Sequence, residues 1–290
     1  SAENELLRLE RKIDEDVLPA PNLFNHCIAF VPDVEGTDYW IDCTTDFHQL
    51  GEVPYLDQGA QVLVVGPDGG KFVQIPKGVA SENQIEQRVT AQIEKNGAGS
   101  IFIRSVYQGQ FAPSYRQLAE TPGQLKRYTE SDAARRFPGA VMSRFNSASS
   151  RAQGPMWVEG EFKVPALASQ SGDRKALSST IDPLNLSSRY AQDSDRKHDL
   201  ELWYPWARSV ELAYHLDPAF KVAVLPEEAK LQEPFGSFTR KVVVEGLVVR
   251  VKDDFVLLSQ RIPKAQFAKF KEFCRKIDSL LGQKILLDGK

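Results

Sequence analysis

Three cysteines (Cys27, Cys43 and Cys274), four histidines and two methionines are all that the 290 residues contain. No two cysteines stand in CxxC spacing, so neither a disulfide framework nor a zinc ribbon organises the fold. No window approaches the run of about 18 apolar residues that a membrane-spanning helix needs. The opening SAENELLRLERKIDED is mixed in charge and does not read as a secretory signal. An excess of one charge is missing too. Against 36 Lys and Arg stand 39 Asp and Glu, a net charge of -3, which gives no broad electrostatic footprint for nucleic acid or an anionic membrane. A GxxxxGK[ST] phosphate loop is absent, and Gly69-Gly70 reads as a turn. What remains is an ordinary globular composition, 42% hydrophobic and 26% charged, with enough apolar surface to offset the entropy of ordering.

Along the chain, a polar helix-compatible stretch from Ala2 to about Asp16 ends at the Pro19 and Pro21 breakers. HCIAFVP and DYWIDC flank the turn-like DVEG and predict a β-hairpin. QVLVV and KFVQIP flank GPDGG and predict a second. NQIEQRVTAQIE, NGAG and SIFIRSVYQG predict a third. Between Ser114 and Phe137 the apolar spacing turns helical, with a break at Thr121-Pro122-Gly123. The polar tracts Ala168–Ser179 and Ser187–Asp195 read as exposed loops.

Strands resume at MWVEGEFKV, HDLELWY, RSVELAYHL, FKVAVL, RKVVVEG, LVVRVKD and DFVLLSQRI. The chain then closes on KAQFAKFKEFCRKIDSLLG, an amphipathic helix of residues 264–281. Its stripe is Phe267, Phe270, Cys274, Ile277 and Leu281, and Gly282 offers a C-cap. Strands without intervening helices predict a mainly β protein of antiparallel sheets, most simply a β-sandwich with a helical insert at 114–137. Two domains are expected, residues 1–80 and 81–290.

One pair of residues carries chemical content. If the first hairpin turns about Val34, partners have numbers summing to 68, and His26 lies directly opposite Asp42 with Cβ atoms roughly 4.5–5.5 Å apart. Asp42 then fixes one imidazole nitrogen and leaves the other as a general base. Ile28, Phe30 and Trp40 share that face, while Cys27, Ala29, Tyr39 and Ile41 occupy the other. With both faces apolar, the hairpin is expected at the centre of a sheet and the pair partly buried. The same spacing also fits a satisfied core hydrogen bond with no catalysis.

The stretch Leu23–Thr45, LFNHCIAFVPDVEGTDYWIDCTT, resembles the segment of bacterial transglutaminase-like proteins that carries FNHAI, a short hairpin and YWLDPT. FHQLGEVPYLDQGAQVLVV and KFVQIP are similar to the LGxLPxxxQGxxALVV and IP that follow, and FKVAVLPEE and IPKAQFAKFKEF resemble the β-rich C-terminal part of the same proteins. The resemblance implies a papain-like cysteine hydrolase or acyltransferase, with His26 and Asp42 matching two members of a Cys-His-Asp triad. Asn25 and Trp40, in the matching motifs, support them. It implies that residues 1–80 are the trailing part of a transglutaminase-like core, with no cofactor and no metal.

The family's nucleophile precedes its His on a helix, whereas the residues before His26 include no Cys. Cys43 stands where the family has Pro, and Cys27 where it has Ala. Both face away from His26 by strand alternation, and they pair too obliquely for a disulfide. The chain is therefore expected to be inactive by itself, a C-terminal portion completed by an N-terminal segment supplying the Cys helix. Its substrate would be a protein or peptide, and its location extracytoplasmic, in the periplasm or cell envelope. The alternative is a non-catalytic β-sandwich binding or structural module.

Other features carry plainer readings. LWYPW clusters Trp203, Tyr204 and Trp206, either as core aromatics or as a stacking patch. Arg135, Arg136, Arg144 and Arg151 read as a solvated basic face. His48 near Asp46, His198 beside Asp199 and His215 near Asp217 fit no recognised metal spacing.

Overall fold

The computed structural model describes residues 24–67, 69–193 and 196–289. The helix expected between Ala2 and Asp16 lies outside these residues. The chain divides into two compact units, Ser1–Gly78 and Val79–Lys290.

The first unit holds two hairpins. One joins β1 (Ala29–Val34) to β2 (Thr37–Ile41), the other β3 (Gln61–Gly66) to β4 (Gly69–Gln74). Each is a two-stranded sheet by itself. The expectation that the first lies at the centre of a sheet is corrected: β1 is exposed apart from half-buried Phe30. Its apolar residues pack within the hairpin instead, with the Phe30 and Trp40 rings 4.2 Å apart and Trp40 buried.

The second unit begins with β5 (Gln84–Ile93) and β6 (Gly99–Tyr107), then α1 (Ala112–Glu120) and α2 (Gln124–Arg136). Pro113 opens α1, and Gly123 breaks the helical insert with φ +74° before α2. Next come β7 (Val141–Ser147), β8 (Met156–Val164), β9 (Ser169–Ser171), β10 (Arg174–Ser178), α3 (Leu186–Tyr190) and β11 (Leu200–Glu201). The remainder is β12 (Trp206–Leu216), β13 (Phe220–Val224), β14 (Ala229–Glu233), β15 (Gly236–Glu245), β16 (Val248–Leu257), β17 (Arg261–Ile262), α4 (Phe267–Leu281) and β18 (Lys284–Gly289).

Eight strands form one open sheet in the order β14-β15-β16-β12-β5-β6-β8-β7, and four form another, β13-β18-β10-β9. Strand alternation sends one side of the large sheet inward. Along β5, Gln87, Val89, Ala91 and Ile93 are buried while Glu86, Arg88, Thr90 and Gln92 are exposed. The buried side meets Leu177, Phe220, Ile285 and Leu287 of the smaller sheet, which makes the sandwich. Farther along the same side, Phe267, Phe270, Phe273, Cys274, Ile277 and Leu281 of α4 pack on Trp206, Phe238, Phe255 and Leu257. Each such side chain contributes roughly 1.5–3 kcal/mol on burial. The protein is mainly β, with several antiparallel sheets, a few helices and a C-terminal helix. Among the described residues no helix is long and apolar enough to cross a membrane.

A charged pair crosses this core. Arg240 and Asp253 are register partners on β15 and β16, and both point inward. The guanidinium gives two 2.7 Å bonds to the carboxylate, one to Ser179 Oγ and one to the Leu280 carbonyl at the end of α4. Four donated bonds compensate the cost of removing the guanidinium from water.

Four readings of the sequence are corrected. Ala168–Ser179 contains β9 and β10, with Ala176 and Leu177 buried, where a loop was expected. Ser187–Asp195 begins inside α3. The chain closes on β18, beyond the helix. One strand pair, β5 with β12, is parallel.

Candidate functional site

The site begins with a tight turn. Glu35 and Gly36 have φ of +51° and +80°, the left-handed pair that a two-residue hairpin loop demands. The strand partners are therefore Ala29↔Ile41, Phe30↔Trp40 and Val31↔Tyr39, with an irregularity between Val31 and Val34. These numbers sum to 70, and direct opposition of His26 to Asp42 is corrected to a diagonal relation just beyond the strand ends. A two-residue shift preserves facing, because side chains alternate with period two. His26 and Asp42 still meet, with Nε2 and Oδ1 3.1 Å apart.

Their exposures differ in a useful way. The Asp42 side chain is 6% exposed and the His26 side chain 37%. Oδ1 of Asp42 also accepts the Thr44 backbone N–H at 2.9 Å and the Thr44 hydroxyl at 2.7 Å. Burial alone would raise the carboxyl's pKa, but the Thr44 bonds and the imidazole outweigh it and hold the group below the usual range. Nε2 is held, and Nδ1 meets no hydrogen-bond partner among the described residues. That is the polarity a general base requires.

Asp57 completes a cluster. One donor atom from each of His26, Asp42 and Asp57 lies within 4.8 Å of the others. Asp57 sits in a turn that starts at Pro54, whose carbonyl accepts the Asp57 and Gln58 amides at 2.9 and 3.3 Å. Buried Gln58 fastens this turn. Its side-chain amide donates to the Val53 carbonyl at 2.8 Å, and its Oε1 accepts the Gly78 amide at 3.1 Å. Gly59 N–H bonds to the carbonyl of buried Ile75 at 3.0 Å. Burial, then the charge of Asp42, raises the Asp57 carboxyl, while His26 and His48 pull the other way.

Asp57 was not singled out in the sequence, although it stands within YLDQG. The signal available was a carboxylate between two turn-forming residues, Pro54 and Gly59, in a stretch already matched.

Asn25 and Trp40 differ in burial. Trp40 is buried against Phe30, and Asn25 is exposed. Neither side chain closes over His26 to the point of burying it.

Cys27 and Cys43 are exposed free thiols, and neither joins the three-residue cluster. Cys274 is buried, and desolvation together with Asp278 pushes its thiol up to about 12. It is a core thiol, not a nucleophile.

The remaining features separate. Trp206 is core and Trp203 is 67% exposed, while Tyr204 meets the Phe111 ring edge-on at 5.7 Å. Arg135 and Arg136 pair with Asp132, Arg151 pairs with Glu120, and Arg144 is exposed. His198 and His215 join no cluster of metal-donor residues among the described residues. Asp199, beside His198, is held instead by the Lys264 amide at 2.7 Å and the Arg261 guanidinium at 2.8 Å.

Residues 177–287 match the family model of DUF3858, a domain of unknown function with a solved structure. That stretch runs from β10 to β18, which are hydrogen-bonded neighbours in the small sheet, Leu177 opposite Ile285. A solved structure described as a "putative protease" from Parabacteroides distasonis is similar over 88% of this chain, at 14% identity and a TM-score of 0.42. The chain spans 34% of that structure's length. No curated protein matches the sequence.

Proposed function

We propose that His26 and Asp42 are the base and its orienting carboxylate in a papain-like thiol site of transglutaminase-like type, acting in amide hydrolysis or acyl transfer. The observation that carries this reading is the asymmetry of the pair: a shielded carboxylate, 6% exposed, grips Nε2 of an imidazole that is 37% exposed. Nδ1 would take the proton of an incoming thiol. The thiolate would attack the substrate carbonyl carbon, and the imidazolium would return the proton to the departing amine, leaving a thioester for water or a second amine. Asp42 stabilises the imidazolium in between. The reading needs a thiol that none of Cys27, Cys43 and Cys274 supplies within the cluster, and an extracytoplasmic location goes with it.

The test extends the protein with the coding sequence upstream of Ser1 and measures labelling by an electrophilic thiol probe. His26→Ala is expected to slow labelling of the supplied cysteine by about 100-fold, the scale of general-base assistance. Equal rates would overturn the assignment. The chain by itself should label only slowly, at Cys27 and Cys43, with or without His26.

A second reading, a non-catalytic binding module, draws on the exposed Trp203 indole, a stacking surface for a glycan or peptide. Loss of glycan or peptide binding in Trp203→Ala, with unchanged labelling, would favour it.

A further inference from the structure

We infer that Asp57 is a positioning residue: its carboxyl shares a proton with Asp42 through a hydrogen bond it donates when protonated, so the two acids then present one negative charge to His26. The inference rests on the reading of His26 and Asp42 as a working pair, and adds the group that holds the carboxylate from behind.

The geometry requires some such arrangement. Two carboxyl groups and an imidazole converge within 4.8 Å. Two like charges at that separation repel, and one of them is favoured to bind a proton. Oδ2 of Asp57 is buried and meets no hydrogen-bond donor among the described residues. A charged oxygen left in that state is costly. One proton removes the difficulty, because a neutral carboxyl is a donor and Asp42 supplies the acceptor. Oδ1 of Asp42 already takes three donors, two from Thr44 and one from His26, so its orientation is set from both ends of the cluster.

The surroundings agree. The titratable groups acting on Asp57 are Asp42, His26 and His48, and burial together with Asp42 outweighs the two imidazoles in raising its carboxyl. The backbone around Asp57 is fixed independently of any charge, by the Pro54 turn and the buried Gln58 anchor. With Asp57 protonated, the two acids together carry one negative charge. When Asp57 ionises, its proton leaves to solvent, the bond to Asp42 is lost, and a second carboxylate competes for the imidazole. Orientation of His26 is thereby tied to the protonation of a residue that never touches the substrate.

The experiment uses the whole chain, with carboxyl carbons of aspartate and ring nitrogens of histidine labelled for NMR. In the unaltered protein the Asp57 carboxyl signal is expected to titrate above the exposed aspartates. In Asp42→Asn its midpoint should fall, because the neighbouring charge has gone. Asp57→Asn retains a donor and should keep neutral His26 protonated on Nε2, whereas Asp57→Ala should mix the two tautomers. An Asp57 signal that titrates with the exposed aspartates would overturn the shared proton, and this needs no variant to fold. Identical His26 spectra in the Asn and Ala variants would overturn the positioning role. None of these readings depends on a thiol, so failure here is distinct from failure of the labelling test.

Discussion

Three donors converge on one oxygen of Asp42, and that convergence decides how the first unit responds to acid. Asp42 ionises at lower pH in the folded protein than in the unfolded chain. Its contribution to stability is therefore complete above the unfolded carboxyl range, near pH ~4, and is lost as pH falls through the folded value. Asp57 has the opposite sign. It keeps its proton to higher pH when folded, so the fold loses stability as pH rises from about 4 through that raised value. Asp57→Asn is expected to flatten the second limb and leave the first in place. Urea midpoints followed on amide signals of residues 24–78, between about pH 3 and about pH 7, check this. The meeting of His26 and Asp42 was legible in the sequence because facing depends only on parity, which survives a misjudged turn. Asp57 was not legible. It is delivered by Gln58 and Ile75, contacts that no local pattern encodes.

Among the elements, those with a strong period were legible and those with only two buried residues were not. The stripe of α4 repeats over four turns, and every residue read into it is buried. Gly282 follows it with an ordinary φ of -76°, so the helix end makes no use of glycine's left-handed freedom. By contrast β10 buries only Ala176 and Leu177, on opposite faces, and its polar remainder resembles a loop until β18 arrives from more than a hundred residues away. Helix α3 illustrates the same dependence. Five residues are too few to sustain a helix, and its amides at Leu186 and Ser187 are instead bound by the two oxygens of Asp278 on α4, at 2.9 and 2.8 Å. Asp278→Ala is expected to destabilise the second unit by about 1–2 kcal/mol, the worth of a charged cap. Asp278→Asn should recover part of the loss. Denaturant unfolding of the two variants provides the measurement.

Across the whole molecule, the fold class was legible from alternation, but the connection of the large sheet was not. The lack of helices between neighbouring strands argued for antiparallel pairing throughout, yet β5 pairs parallel with β12 after a crossover that contains β6 to β11 and three helices. Buried Asn83 fixes the start of that pair. Its carbonyl accepts the Ala207 amide at 2.9 Å, and its side chain spans the Pro205 carbonyl and the Gln110 amide. The two units also differ in how much they bury. The first has Trp40, Pro54 and Ile75 as its buried apolar side chains among the described residues, and isolated two-stranded hairpins are marginal in water. Amides of β1 to β4 are therefore expected to exchange with solvent at least about 100-fold faster than those of β5 and β12. Equal protection would show that the first unit draws stability from contacts other than its hairpins. Hydrogen exchange read strand by strand gives the comparison.

The functional account stands on which nitrogen of one imidazole is held. A nitrogen–proton correlation spectrum of His26 in its neutral form, recorded for the unaltered chain and for Asp42→Ala, tests this directly. The account requires the proton on Nε2 in the first and a mixture of tautomers in the second. A proton on Nδ1 in the unaltered chain, or the same spectrum in both, would contradict it.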